Sequence, residues 1–278
     1  MQHIAGGSAL LDNVTISANT ALGNAPAEGG GGISNMGGVL TIMNTSLVTN
    51  NTASGTSGSG GAILNNTNGT LMVMNSTISG NSAMRAGGGI EDNSGPSTTI
   101  TLTDVSLSNN NTASNPGNGG GLHITGAGNA NITRGSVSNN TASAEGGGLW
   151  NGAGSMVVDS VDIDNNIASG NGADQGGGGI YNLSGNLMII NNSMITGNVA
   201  DGTSGSGGGI LNDAGGTLTI MNSEISGNSS MRAGGGIEDN SGGSTSMNLT
   251  NVTLSGNTTA SNPGNGGALH ITGAGNST

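Results

Sequence analysis

A tetrapeptide of the form Gly-Gly-Gly/Ala-Ile/Leu recurs nine times along the chain, ending at Ile33, Ile63, Ile90, Leu122, Leu149, Ile180, Ile210, Ile237 and Leu269. The intervals run from 27 to 32 residues, the range in which one supersecondary unit repeats to build a solenoid or a propeller. A unit this short, with so few apolar side chains, cannot bury them alone. Stacked units share one continuous core and can.

Composition by itself points elsewhere. Of 278 residues, 58 are Gly and none is Phe, and the formal charge is -12. Sparse apolar side chains with high net charge are the signature of disordered chains, so any order must come from pattern. A second mark supplies it, an apolar residue three before an Asn. It stands at Ile16/Asn19, Val48/Asn51, Ile78/Asn81, Leu107/Asn110, Val137/Asn140, Ile163/Asn166, Ile195/Asn198, Ile225/Asn228 and Leu254/Asn257. Between the marks lie short alternating runs such as LTIMNS at 218–223. Period-2 alternation without a helical period predicts three strands per unit: Gly-Ile-x-Asn, Leu-x-Ile and x-Ile-Ser-x-Asn. Length varies after the last Asn, as in SAE at 143–145 and SGNGADQ at 169–175, which assigns loops there.

The two marks resemble the Gly-Gly-Ala-Ile/Leu/Val and Phe-x-x-Asn repeats of polymorphic outer membrane proteins and related autotransporter-like surface proteins of bacteria. Ile, Leu or Val stands here where that family prefers Phe, and no aromatic-rich strands of an outer-membrane barrel follow. The resemblance implies a secreted or surface-displayed right-handed parallel β-helix. The expected fold is accordingly all-β, one right-handed parallel β-solenoid of about ten three-strand coils, roughly 45 Å long at ~4.8 Å per coil. It is expected to be continuous over residues 1–278. Gly55 to Gly128 matches Gly202 to Gly275 at an offset of 147 residues, so 1–131 and 148–278 read as a five-coil block used twice. Neither end carries an atypical capping repeat, which suggests a fragment or an assembly unit.

Arg85, Arg134 and Arg232 are the only basic side chains besides three histidines. That balance argues against nucleic acid, whose phosphates need clustered Lys or Arg, and against anionic membrane surfaces. No apolar run is long enough to insert into a membrane as a helix in this segment. Without cysteine there is no disulfide framework or thiolate chemistry. The Gly triplets lead into strands and have no lysine beside them, so they read as tight corners rather than phosphate loops.

Stacking turns each repeated position into a column. The second-mark Asn residues are expected to form a hydrogen-bonded ladder from coil to coil. The residue after each Gly-mark Ile or Leu is expected to point outward, giving the column His3, Ser34, Leu64, Glu91, His123, Trp150, Tyr181, Leu211, Glu238 and His270. His123, Trp150 and Tyr181 would then offer a platform for a sugar or a partner protein. The histidines lie too many coils apart to share a metal. Asp162 and Asp164 share an outward face suited to a weak Ca²⁺ contact; no other metal or cofactor is expected. Asp104 and Arg134 occupy equivalent places in successive coils and should pair. The segment MRAGGGIEDNSG occurs at 84–95 and 231–242. There Arg85 is placed to neutralise Glu91, and Arg232 to neutralise Glu238, across a duplicated corner.

Met43, Met72, Met74, Ile190 and Met221 make an apolar outward stripe on the middle strand, a feature of lateral association. Regular hydroxyls such as Thr77/Ser79 and Ser106/Ser108 on the third strand are similar to ice-binding faces. The leading expectation is a non-enzymatic structural or adhesive protein of a bacterial surface or extracellular matrix. It would self-associate end to end or laterally into fibres. The alternative is a binding module, for ice through the Ser/Thr face or for glycan through Trp150 and Tyr181. A polysaccharide-active β-helix enzyme ranks third, because no carboxylates converge.

Overall fold

The computed structural model describes every residue except 1, 5, 97–98, 114–115, 243–245, 262, 273–275 and 278, and for 2–4 and 276–277 it describes the backbone alone. The chain is an all-β solenoid whose stacked coils pair in parallel. Among the described residues there is no helix, and so none long and apolar enough to cross a membrane.

Three sheets run along the solenoid. The first has ten strands, from Gln2–Ile4 to Leu269–Ile271, and holds the Gly-mark segments. Its register aligns Ile33, Ile63, Ile90 and Leu122 one above another. The second has 14 strands and combines the two remaining strands expected from sequence. In five coils these fuse into one ten-residue strand, such as Thr70–Ser79 or Thr99–Ser108. Each fused strand bends at a residue of positive φ, which is Asn75, Asp104, Arg134 (followed by Gly135), Asn222 or Asn251. Asn enters that left-handed region more readily than most side chains. In other coils the strand breaks at the bend, as at Asn44-Thr45, into Val39–Met43 and Leu47–Thr49.

The third sheet corrects the sequence expectation of loops directly after the second-mark Asn. Nine dipeptides pair there, from Thr20–Ala21 to Thr258–Thr259. Their inward residue is mostly small, as in Ala53, Ala83, Ala142, Ala168 and Ala200, and the glycine corner packs against the dipeptide backbone. A Cβ on Gly31 would come within 2.6 Å of the Thr52 backbone. Two residues bounded by corners carry too little alternation to register as a strand.

The glycine triplet is explained by its contacts. Gly60 has φ +65°, and a Cβ there would lie 2.3 Å from the Ile63 carbonyl oxygen. At Gly61 a Cβ would lie 2.1 Å from Gly88 O in the next coil, so stacking itself forbids a side chain. The third position is looser at Gly32, where a Cβ would lie 3.0 Å from Ala62 O, and in the next coil Ala62 occupies it, fully buried. Past this corner, Ile33, Leu40, Ile42 and Val48 point inward and join one core with their equivalents in the other coils. Each such aliphatic side chain contributes about 1.5–3 kcal/mol on burial. Stacking thus supplies what composition alone denied.

Candidate functional site

Two Asn ladders hold the coils in register. In the first, Nδ2 of Asn19 donates to Oδ1 of Asn51 at 2.9 Å, and the chain of bonds continues through Asn81, Asn110, Asn140, Asn166, Asn198 and Asn228 to Asn257. Asn81 shows why this residue type is used. Its two amide hydrogens go to Val48 O and Asn110 Oδ1, while its oxygen accepts from the Asn51 backbone and side chain. A buried amide is fully satisfied in this way, which avoids the cost of an unpaired polar group.

The second ladder lies on the first sheet and was not read from sequence as a ladder. Asn35 donates to Asn65, and Asn65 to Asp92 Oδ1 at 2.8 Å. Asn151, Asn182 and Asn212 repeat the run and end on Asp239. Both runs stop where the next residue in the column is apolar, at Ile124 and Ile271. An Asn in that last rung would hold an amide hydrogen with nothing to receive it, whereas a carboxyl accepts without donating. The start of the second run has the converse defect: Asn151 Oδ1 is buried without a partner. Burial raises the Asp92 pKa to about 6, against the lowering effect of its hydrogen bonds to Ser94 and Asn65.

Outward from the first sheet lies the column that sequence placed in solvent. The structure overturns that exposure. His123 is 4% exposed, Trp150 6% and Tyr181 3%, while Leu64, Glu91, Leu211 and Glu238 are equally buried. These side chains do point away from the main core, but the irregular segments before the glycine corners fold over them. Trp150, Tyr181 and Leu211 form a separate apolar cluster. Glu145 of the covering segment accepts from Trp150 Nε1 at 3.1 Å, and Tyr181 donates to Asp213 Oδ2 at 2.8 Å. His123 stacks on Trp150 with ring centroids 4.2 Å apart, and Trp150 on Tyr181 at 5.9 Å. Burial raises the pKa of Glu145 and, with nearby carboxylates, of Tyr181. The exposed sugar platform expected of His123, Trp150 and Tyr181 does not exist. His3 lies on the strand Gln2–Ile4, and its side chain is outside the described residues.

The strip carries two copies of one polar cluster. Glu91 meets His123 Nδ1 at 2.8 Å, Thr125 Oγ1 at 2.6 Å and Arg85 at 3.5 Å. Glu238 meets His270 Nδ1 at 2.7 Å, Thr272 Oγ1 at 2.8 Å and Arg232 at 3.3 Å. Sequence placed each Arg beside its Glu; the His and Thr partners went unread, although each stands in the adjacent coil's Leu-His-Ile-Thr. The hydroxyl and the carboxylate both face Nδ1 of the imidazole. A nucleophilic relay needs them on opposite ring nitrogens, so this cluster is built for charge satisfaction.

Asp104 and Arg134 stack at the bend of the second sheet with two contacts of 2.8 Å. The guanidinium holds the Asp104 carboxyl below its usual range. Both residues occupy the positive-φ slot that Asn fills elsewhere. Asp162 and Asp164 share an outward face; Asp162 lies between Ser136 and Met194, and Asp164 between Ser138 and Thr196. Among the described residues no group of three or more His, Cys, Asp or Glu is placed to hold a metal. No protein family, curated relative or solved structure matches the chain.

Proposed function

We propose that this chain is a non-enzymatic structural rod of a bacterial surface or extracellular matrix that associates side by side with its own kind. One observation carries the reading: the buried Asn repeated in every coil is consumed in coil-to-coil bonds, with both ends of its amide engaged at Asn81. The resemblance of the two marks to bacterial surface repeats supports the location. Electron microscopy of the concentrated protein, with sedimentation over a concentration series, tests the reading. Laterally associated rods are expected. A monodisperse monomer at high concentration would overturn it.

A second reading rests on one column of the second sheet. Ser17, Thr49, Ser79, Ser108, Ser138, Thr196, Ser226 and Ser255 align, with only Asp164 interrupting. A flat row of hydroxyls at coil spacing suits an ordered water lattice such as ice. Thermal hysteresis of the purified protein decides it, and its absence removes the reading.

A further inference from the structure

The outer face of the second sheet has two arms separated by the bend. On the arm before the bend, alternate residues point outward, as Val39, Thr41 and Met43 do while Leu40 and Ile42 are buried. Register stacks Leu10, Thr41, Met72, Thr101 and Asn131 in one outward row, and Val157, Met188 and Thr219 continue it. Leu10, Val39 and Met188 are exposed at 62, 40 and 39%. Asp12 and Asp159 are the only charged side chains among the strand residues of this arm, with the Asp104–Arg134 pair at its margin. The arm after the bend carries Asp162, Asp164 and Glu224 instead.

We infer that the pre-bend arm, with Met72 and Met188 four coils apart on it, is the face on which a second copy of this chain docks; the inference rests on the side-by-side reading above. Charge argues for it. Copies with a net charge of -12 repel, and of the two arms this one carries fewer carboxylates among its strand residues, so approach there costs less. Area argues for it as well. Nine five-residue segments cover roughly 16 by 43 Å at ~3.3 Å per residue and ~4.8 Å per coil. That is about 700 Å² per partner, close to the ~800 Å² per partner of a stable interface. A copy docking on the same face of its partner gives a closed two-fold pair.

The test compares sedimentation equilibrium of the full chain with that of two double variants. Met72→Glu/Met188→Glu charges the pre-bend arm; Thr77→Glu/Ser138→Glu charges the arm after the bend. Asp12 and Asp159 already show that carboxylates sit on the first arm without disturbing the strands, and circular dichroism with a thermal melt checks that each variant folds. The first pair is expected to weaken association at least ~10-fold and the second to leave it within about threefold, since apposed like charges oppose docking only inside the interface. If the wild type associates and only the second pair weakens it, the face is wrong while the side-by-side reading stands. If the wild type is monomeric throughout, both fall.

Discussion

At the scale of single residues, hydrogen-bond capacity decides what each column tolerates. Asn140 donates at 2.9 Å to both Leu107 O and Asn166 Oδ1. Asn140→Asp keeps the shape but, once ionised, turns a carboxylate toward two acceptors. A loss of about 3–5 kcal/mol at neutral pH is expected, with a smaller loss in acid, where the carboxyl can still donate. Denaturant melts at two pH values check this. Asp92 has the opposite role, since it ends a ladder. Its folded pKa of about 6 lies above the usual 3.8 of an aspartate, so well below pH 4 it is protonated in both states. As pH rises through 6, the unfolded chain ionises first and stability falls by roughly 3 kcal/mol. Asp92→Asn should flatten that part of the stability–pH curve; parallel curves for variant and wild type would contradict the assignment. The first ladder was legible in the sequence because one Asn recurs beside one apolar residue. The second was not, because its slot changes to Asp at 92 and 239 and to Ile at 124 and 271, and the meaning of those changes lies in the neighbouring coil.

At the scale of elements, glycine positions separate close approach from mere habit. Gly61→Ala would drive a methyl into the Gly88 carbonyl of the next coil, while Gly32→Ala puts a Cβ 3.0 Å from Ala62 O. Thermal unfolding should show at least ~3 kcal/mol lost for the first and no more than about 1 kcal/mol for the second. The covering segments give a further prediction. Trp150 is the only tryptophan, so its fluorescence reports one place. Burial under Glu145 should shield it from iodide and acrylamide, and Glu145→Ala should restore quenching; full quenching in the wild type would mean that the strip is open. Strand alternation told which side of the first sheet His123, Trp150 and Tyr181 occupy. It could not tell that they are covered, because the covering segments 143–145 and 169–175 are irregular and differ from coil to coil. The third sheet escaped notice for a related physical reason: its dipeptides derive their order from pairing with neighbours, and local sequence adds little.

At the scale of the whole molecule, coil-to-coil contacts make length a matter of whole coils. Deleting residues 55–201 joins Ser54 to Gly202 and regenerates the same local sequence, GTSGSG, that follows Ser54 in the intact chain. The shortened protein should fold with an unchanged circular dichroism spectrum per residue. A deletion ending ten residues later, at Leu211, should leave the chain unfolded or aggregated, because it removes that coil's glycine corner and its Ile210. The first Asn ladder also has a direction. From Asn19 to Asn228, each side-chain amide gives one hydrogen to the Asn oxygen of the coil that follows, and from Asn51 onward each oxygen receives from the coil before it. Amide dipoles stacked in one sense add, as they do along a helix. The rod therefore has a head and a tail electrically as well as in sequence, and in an applied field dissolved rods should turn to point the same way.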